Sequence, residues 1–181
     1  MSIRLYKAVV FQPETYQALQ AGIDLVVDAV RPTLGPVPRV VAVEYSMRRH
    51  VAPELLDSGA AIAQRIVQLP DRDQDVGAML IRDTLMRVQQ EVGDGTATTA
   101  VLIKALVDGG VRYLASGGNA MMLRRRLEAG RTMILDQLRQ LVSFPRGEAE
   151  LARLAQSICY DPPLAAMLGE IFDIIGEYGR L

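Results

Sequence analysis

From Gly95 to Ser116 the chain reads GTATTAVLIKALVDGGVRYLAS, a stretch of helical character that is apolar almost all round. Val101, Leu102, Ile103, Ala105, Leu106, Val107 and Val111 leave no broad polar face. The one charged stripe is Lys104, Asp108 and Arg112, at i, i+4, i+8. A helix of this kind belongs in the middle of a helical core, because every side of it needs cover. The sequence must therefore supply several more helices.

It does. Glu14 to Arg31 carries Leu19, Ile23, Val26, Val27 and Val30 at helical spacing. Pro32 ends that helix, since the residue before a proline avoids the α region. Thr33-Leu34-Gly35-Pro36-Val37-Pro38 is then a rigid loop. Asp75 to Val92 is a second long helix through Ile81, Leu85, Val88 and Val92, with Gly93 in the position of a glycine after the last turn. Ser116-Gly117-Gly118-Asn119 is a stop and a fresh start. Ala120 to Leu141 follows, with Leu123, Leu127, Ile134, Leu138 and Leu141 on one face. Glu148 to Ile158 is a short helix, and Asp161-Pro162-Pro163 opens the last one with an aspartate cap and a proline in the first turn. Extended structure is confined to a β-prone run, Arg4 to Phe11, and a hairpin of Val40 to Tyr45 with Leu55-Leu56. Asp57-Ser58-Gly59 then caps an alanine-rich helix, Ala60 to Val67. The fold class is mainly α and multihelical, with a small β element.

Composition closes off several functions. Half of the 181 residues are hydrophobic, Trp is absent and aromatics make up 5%, so the core is aliphatic. A formal net charge of -1 gives no footprint for nucleic acid. Lys7 and Lys104 are the only lysines among 20 basic residues, an arginine bias that reads as genome composition. One cysteine, Cys159, excludes an internal disulfide framework. One histidine, His50, excludes a two-histidine metal site. Neither a secretory leader nor a transmembrane run of about 20 apolar residues is visible, which makes the cytoplasm the expected compartment. Cys159 and the methionines Met79, Met86, Met121 and Met122 read as core or core-edge filler. Arg124-Arg125-Arg126 reads as a solvated face with an Arg124–Glu128 pair.

The chemistry lies in Gly93-Asp94-Gly95-Thr96. It sits between two helices, at the start of the second. First-turn N–H groups lack internal partners and carry partial positive charge, so they bind phosphate, and glycine lets an anion come close. Thr96, Thr98 and Thr99 add hydroxyls. Asp94 fits beside a phosphate when Mg²⁺ lies between them, because Mg²⁺ favours a carboxylate together with phosphate oxygens. A second reading stays open, a plain cap in which Asp94 or Thr96 satisfies the N–H groups of a tight turn. Neither the G-K-[ST] of a P-loop nor a dinucleotide fingerprint is present.

Three stretches, DAVRPTLGP (Asp28 to Pro36), EVGDGTATTAVL (Glu91 to Leu102) and ASGGNAMMLRRRLEAG (Ala115 to Gly130), together resemble the chaperonins, the bacterial GroEL type most of all. The similarity runs from about Thr15 to Leu181, in the family's order and at nearly its spacing. It implies that residues 1–141 are the N-terminal part of an equatorial, nucleotide-binding domain and that 142–181 are an intermediate-like segment. The apical domain is absent from this sequence. The hairpin near 40–56 would belong to a sheet joining neighbouring subunits. The resemblance implies ATP and Mg²⁺ as cofactors, self-association into a ring or dimer, unfolded clients for a full-length chain, and a co-chaperonin as a further partner. It implies no nucleic acid or membrane partner. Thr33, Leu34, Gly35 and Pro36 match the loop that lies against the nucleotide. Asp94 matches the metal-binding aspartate, and Gly95, Thr96 and Thr98 match phosphate contacts.

This sequence also departs from the pattern. Val37-Pro38 replaces Lys-Gly after TLGP, and Ala97 replaces a threonine of GDGTTT. Ser58 stands where the family has the aspartate that positions the hydrolytic water. Asp57, one place earlier, is the candidate for that role, and Ser58 reads as a helix cap. Two functions follow. One is the N-terminal portion of an ATP-dependent folding chaperonin, an ATPase in the context of a complete chain. The other is a truncated, non-hydrolysing interaction module. In both, a chain without the rest of its equatorial domain exposes apolar surface.

Overall fold

Gly22 and Gly77, both buried, mark where two long helices cross at backbone contact. In the computed structural model, which describes residues 11–35, 39–44 and 52–176, these are α1 (Glu14–Val30) and α3 (Arg72–Glu91). A β-carbon on Gly22 would fall onto the Gln74 carbonyl oxygen and lie 2.9 Å from the Ala78 nitrogen. One on Gly77 would fall onto the Leu19 carbonyl oxygen. The crossing brings Ile23, Val26, Val27 and Val30 of α1 against Ala78, Ile81 and Leu85 of α3, all in one core cluster.

α2 (Gly59–Arg65) adds Ile62 and Ala63 to that core, and α4 (Thr96–Ala115) adds Ala97 and Ala100. A two-stranded antiparallel hairpin, β1 (Val41–Val43) with β2 (Glu54–Leu56), pairs Val41 with Leu56 and Val43 with Glu54. Its Val41 and Leu56 side chains lean on the same core. α5 (Ala120–Leu141) starts at Asn119, whose carboxamide oxygen accepts from the Met121 and Met122 N–H groups at 2.9 and 3.1 Å. The chain divides into two compact units, Met1–Leu123 and Arg124–Leu181, with the boundary inside α5. The second unit holds an α-hairpin of α6 (Glu148–Cys159) and α7 (Pro162–Ile175). Gly169 lies on the backbone of α6 there, its α-carbon facing Ala152 and the Glu148 carbonyl. Asp161 caps α7 by accepting from the Leu164 N–H at 3.0 Å, with Pro162 in the first turn as the sequence indicates.

Several expectations need correction. α3 starts at Arg72 rather than Asp75, because Asp71 caps it by accepting from the Asp73 N–H at 2.9 Å, and Asp75 instead accepts from the Leu69 N–H at 2.8 Å. α1 ends at Val30, one residue short of the expected bound, and Pro32 sits in a 3-10 turn, Arg31–Thr33, where the missing proline N–H is not needed. α4 lies within the core for its first turns only. Beyond Ala100, Val101, Ile103 and Val107 lean on the core, while Leu102 and Leu106 are each 58% exposed. α5 buries no side chain, so Leu127, Ile134, Leu138 and Leu141 face outward. Met79 and Met86 do pack against the core, but Met121 and Met122 are exposed. Cys159 is half-buried at the end of α6. The Arg124–Glu128 pair forms at 2.9 Å on an exposed face, where it contributes little. The strand at 4–10, Pro36 to Pro38, and His50 lie outside the described residues.

The glycine crossing yields a contrast. Gly77→Ala must push α1 and α3 apart and costs on the order of 1–3 kcal/mol or more. Gly109→Ala adds a methyl into open space on α4 and gains up to about 1 kcal/mol of helix propensity. Thermal unfolding followed by circular dichroism should move the midpoint down for the first and up for the second.

Candidate phosphate-binding loops at the head of α4

α3 stops at Gly93, whose N–H donates to the Gln89 carbonyl at 3.1 Å and whose φ is +85°. Two residues on, Gly95 at φ +83° is the residue from which α4 springs. These left-handed positions favour glycine. Between them, Asp94 is exposed, and its Oδ1 accepts from the Gly95 N–H at 2.6 Å. That bond lies before the helix. The first turn closes when the Thr99 N–H donates to the Gly95 carbonyl at 2.9 Å. Among the described residues nothing accepts from the Thr96, Ala97 or Thr98 N–H groups. Asp94 thus satisfies the Gly95 N–H of the tight turn, as a plain cap would, while no side chain caps the helical N–H groups that follow. Space beside Gly35, Gly93 and Gly95 is open to 4 Å around a notional β-carbon.

Three segments far apart in sequence meet behind this turn. A β-carbon on Gly59, the first residue of α2, would lie 2.8 Å from Val30 Cγ1, 3.0 Å from Thr96 Oγ1 and 3.3 Å from Thr33 Oγ1. Thr33 and Thr96 are the buried polar side chains among the described residues, at 8% and 6% exposure. The Thr33 hydroxyl donates to the Val30 carbonyl at 2.8 Å, which ties the TLGP loop to the end of α1. Leu34, Gly35 and Thr98 are exposed. The structure thus brings Thr33 and Thr96 together at the buried base of the site. Asp94 and Thr98 stand at its exposed head.

Asp57 and Ser58 connect β2 to α2, and both are exposed. Ser58 caps α2, its Oγ accepting from the Ala61 N–H over a long 3.5 Å. The Asp57–Gly59 turn is held from both sides by a bidentate pair. Arg65 of α2 donates to both carboxylate oxygens of Glu54 on β2, at 2.7 and 2.8 Å. That hydrogen bond holds the Glu54 carboxyl below its usual range, against a smaller opposing effect of desolvation. The contribution of this contact is present above the ordinary glutamate range and is lost as pH falls through the depressed value.

Ala97 is buried in the aliphatic core, so this position of the motif contributes packing and no hydroxyl. Among the described residues no three His, Cys, Asp or Glu side chains gather into a metal-binding group. Asp94 would offer a hard cation a single carboxylate, with the remaining ligands coming from outside the protein. That donor set suits Mg²⁺ held with phosphate and water. The sequence reading missed Gly59, whose signal was a glycine at the first helical position, directly after the capping Ser58. Gly59→Ala should lower stability by about 1–3 kcal/mol, since Val30, Thr33 and Thr96 must all give way. Urea unfolding measures it, and an unchanged midpoint would contradict the convergence.

Similarity to known proteins follows the same outline. The chain is 32% identical to chaperonin GroEL 2 of Corynebacterium jeikeium (strain K411) over 173 residues, which cover 96% of this chain and 31% of that protein. It thus spans about a third of the length of that curated relative. No family model matches the chain. Two crystal structures of chaperonin gp146 from the bacteriophage EL 2 (Pseudomonas aeruginosa), both in the presence of ATP-BeFx, share the fold with a TM-score of 0.70 each. Identity to them is 18% and 20%, over 90% and 91% of this chain and 28% and 29% of theirs.

Proposed function

This chain belongs to the chaperonin family, and on that premise we propose that it is the N-terminal portion of an ATP-dependent folding chaperonin whose phosphate site is the head of α4. The observation that carries this reading is the meeting of Thr33, Gly59 and Thr96 beneath a helix start with free N–H groups. Mg·ATP would supply the triphosphate and its hydrolytic free energy. The protein's own part is to receive and orient it. The Thr96, Ala97 and Thr98 N–H groups face an anion with the positive end of the α4 dipole. The Thr98 hydroxyl would add a donor, and the Asp94 carboxylate, whose Oδ1 holds the turn, would be the residue to hold the metal. Leu34, Gly35 and Pro36 would lie against the nucleotide, and Asp57 would orient the water. In this reading residues 1–141 serve as equatorial-like and 142–181 as intermediate-like. Ring or dimer formation, unfolded clients, a co-chaperonin and a cytoplasmic location belong to it as well. The exposed Leu102, Leu106 and Met121 support self-association. No helix among the described residues is long and apolar enough to cross a membrane.

A second reading is a non-hydrolysing interaction module. Ser58 favours it, because a hydroxyl spent on capping α2 cannot act as the carboxylate that positions water.

Calorimetric titration of the 181-residue chain with ATP, with and without Mg²⁺, tests the site. Metal-dependent binding should weaken at least tenfold in Asp94→Ala, on the order of 1.4 kcal/mol or more. Equal binding by both proteins, or binding indifferent to Mg²⁺, would refute the assignment of Asp94.

A further inference from the structure

Lys104 is one of two lysines in an arginine-rich chain, and both it and Asp108 are part-buried against α1, while Arg112 of the same stripe is exposed. Its ammonium pairs with Asp24 on α1 and lies 3.5 Å from Asp108 one turn along α4. The other oxygen of Asp108 accepts from the Gln20 carboxamide of α1 at 2.9 Å. Four side chains therefore interlock as two i, i+4 pairs, Gln20 with Asp24 and Lys104 with Asp108, across an antiparallel helix pair. The hydrogen bond to Asp24 raises the Lys104 ammonium above its ordinary range, against desolvation, so its contribution is present at neutral pH and is lost as pH rises through that raised value.

The place of this cluster matters more than its strength. Lys104 is eight residues past Thr96, and Asp24 is nine residues before Thr33. At 1.5 Å per α-helical residue and about 2.0 Å through the 3-10 turn, the arms are about 12 and 15 Å long. Between the cluster and the loops, Val27 and Val30 on α1 share a core with Ala97 and Ala100 on α4. Alanines hold a helix pair less firmly than large side chains, because each makes few dispersion contacts. A polar clasp two turns back would fix the sliding register of α1 against α4. That register decides whether Thr33 and Thr96 stay opposite one another.

We infer that Asp24, Lys104, Asp108 and Gln20 form a positioning clamp that sets the register between the TLGP loop and the head of α4. The clamp deepens the phosphate-site reading but is legible without nucleotide. Its members touch neither Asp94 nor the free N–H groups. They act through the helices.

Amide hydrogen exchange on the free 181-residue chain tests it. The informative amides are Leu34, which donates to Arg31, and Thr99, which donates to Gly95. In Lys104→Met both should exchange about tenfold faster while the Ile81 amide in α3 holds its rate. Lys104→Arg should restore both. Asp24→Asn, which removes a charge without stranding two carboxylates, reads the same contact if Lys104→Met does not fold. Unchanged rates at Leu34 and Thr99, or a rise shared equally by Ile81, would overturn the clamp. Mg·ATP titration of the same proteins keeps the two claims apart: a wild-type chain that fails to bind counts against the nucleotide site and leaves the exchange pattern to decide the clamp.

Discussion

The crossing of α1 and α3 at Gly22 and Gly77 is the constraint on which the rest of the first unit depends. Without β-carbons there, helix backbones approach to the limit set by carbonyl oxygens. That approach brings Val26, Val27 and Val30 against Ile81 and Leu85. α1 ends at the TLGP loop and α3 ends at Gly93. Because the two helices are locked, the two loops are presented from one rigid support.

On that support the site is built from small parts. Gly59 is a gap between two threonines, and the gap lets α2 approach the loops on either side of it. The hairpin is secured to α2 by the Glu54–Arg65 pair, which stiffens the turn carrying Asp57 and Ser58. Two glycines of positive φ around Asp94 turn the chain so that α4 begins with its N–H groups uncommitted. Binding chemistry at the head of α4 thus rests on packing chemistry at its base: a change at Gly59 would press on Thr33 and Thr96 directly, and one at Lys104 would reach the loops without touching them.

Much of this was legible in the residues. Helical periodicity located all the long helices, and the Asp161-Pro162-Pro163 signal placed the start of α7. The start of α3 is less legible, because Leu69-Pro70-Asp71 has the composition of a helix break and yet supplies the cap of α3. The apolar girth of α4 led to a fully central helix, whereas Leu102 and Leu106 face outward; periodicity reports that a face is apolar but not whether anything covers it. GDGT and TLGP were recognisable as loops. That they meet at Gly59 is a long-range fact carried by no local pattern, and so is the pairing of Lys104 with Asp24 across 80 residues.

The central claim is that the TLGP loop and the head of α4 form one anion site. Backbone amide NMR during a titration with Mg·ATP tests it most directly. The account predicts that the Leu34 and Gly35 resonances and those of Gly93 to Thr98 shift together along a single binding curve, with the α6–α7 hairpin still. Shifts confined to one of the two loops, or spread over the α6–α7 hairpin instead, would contradict it.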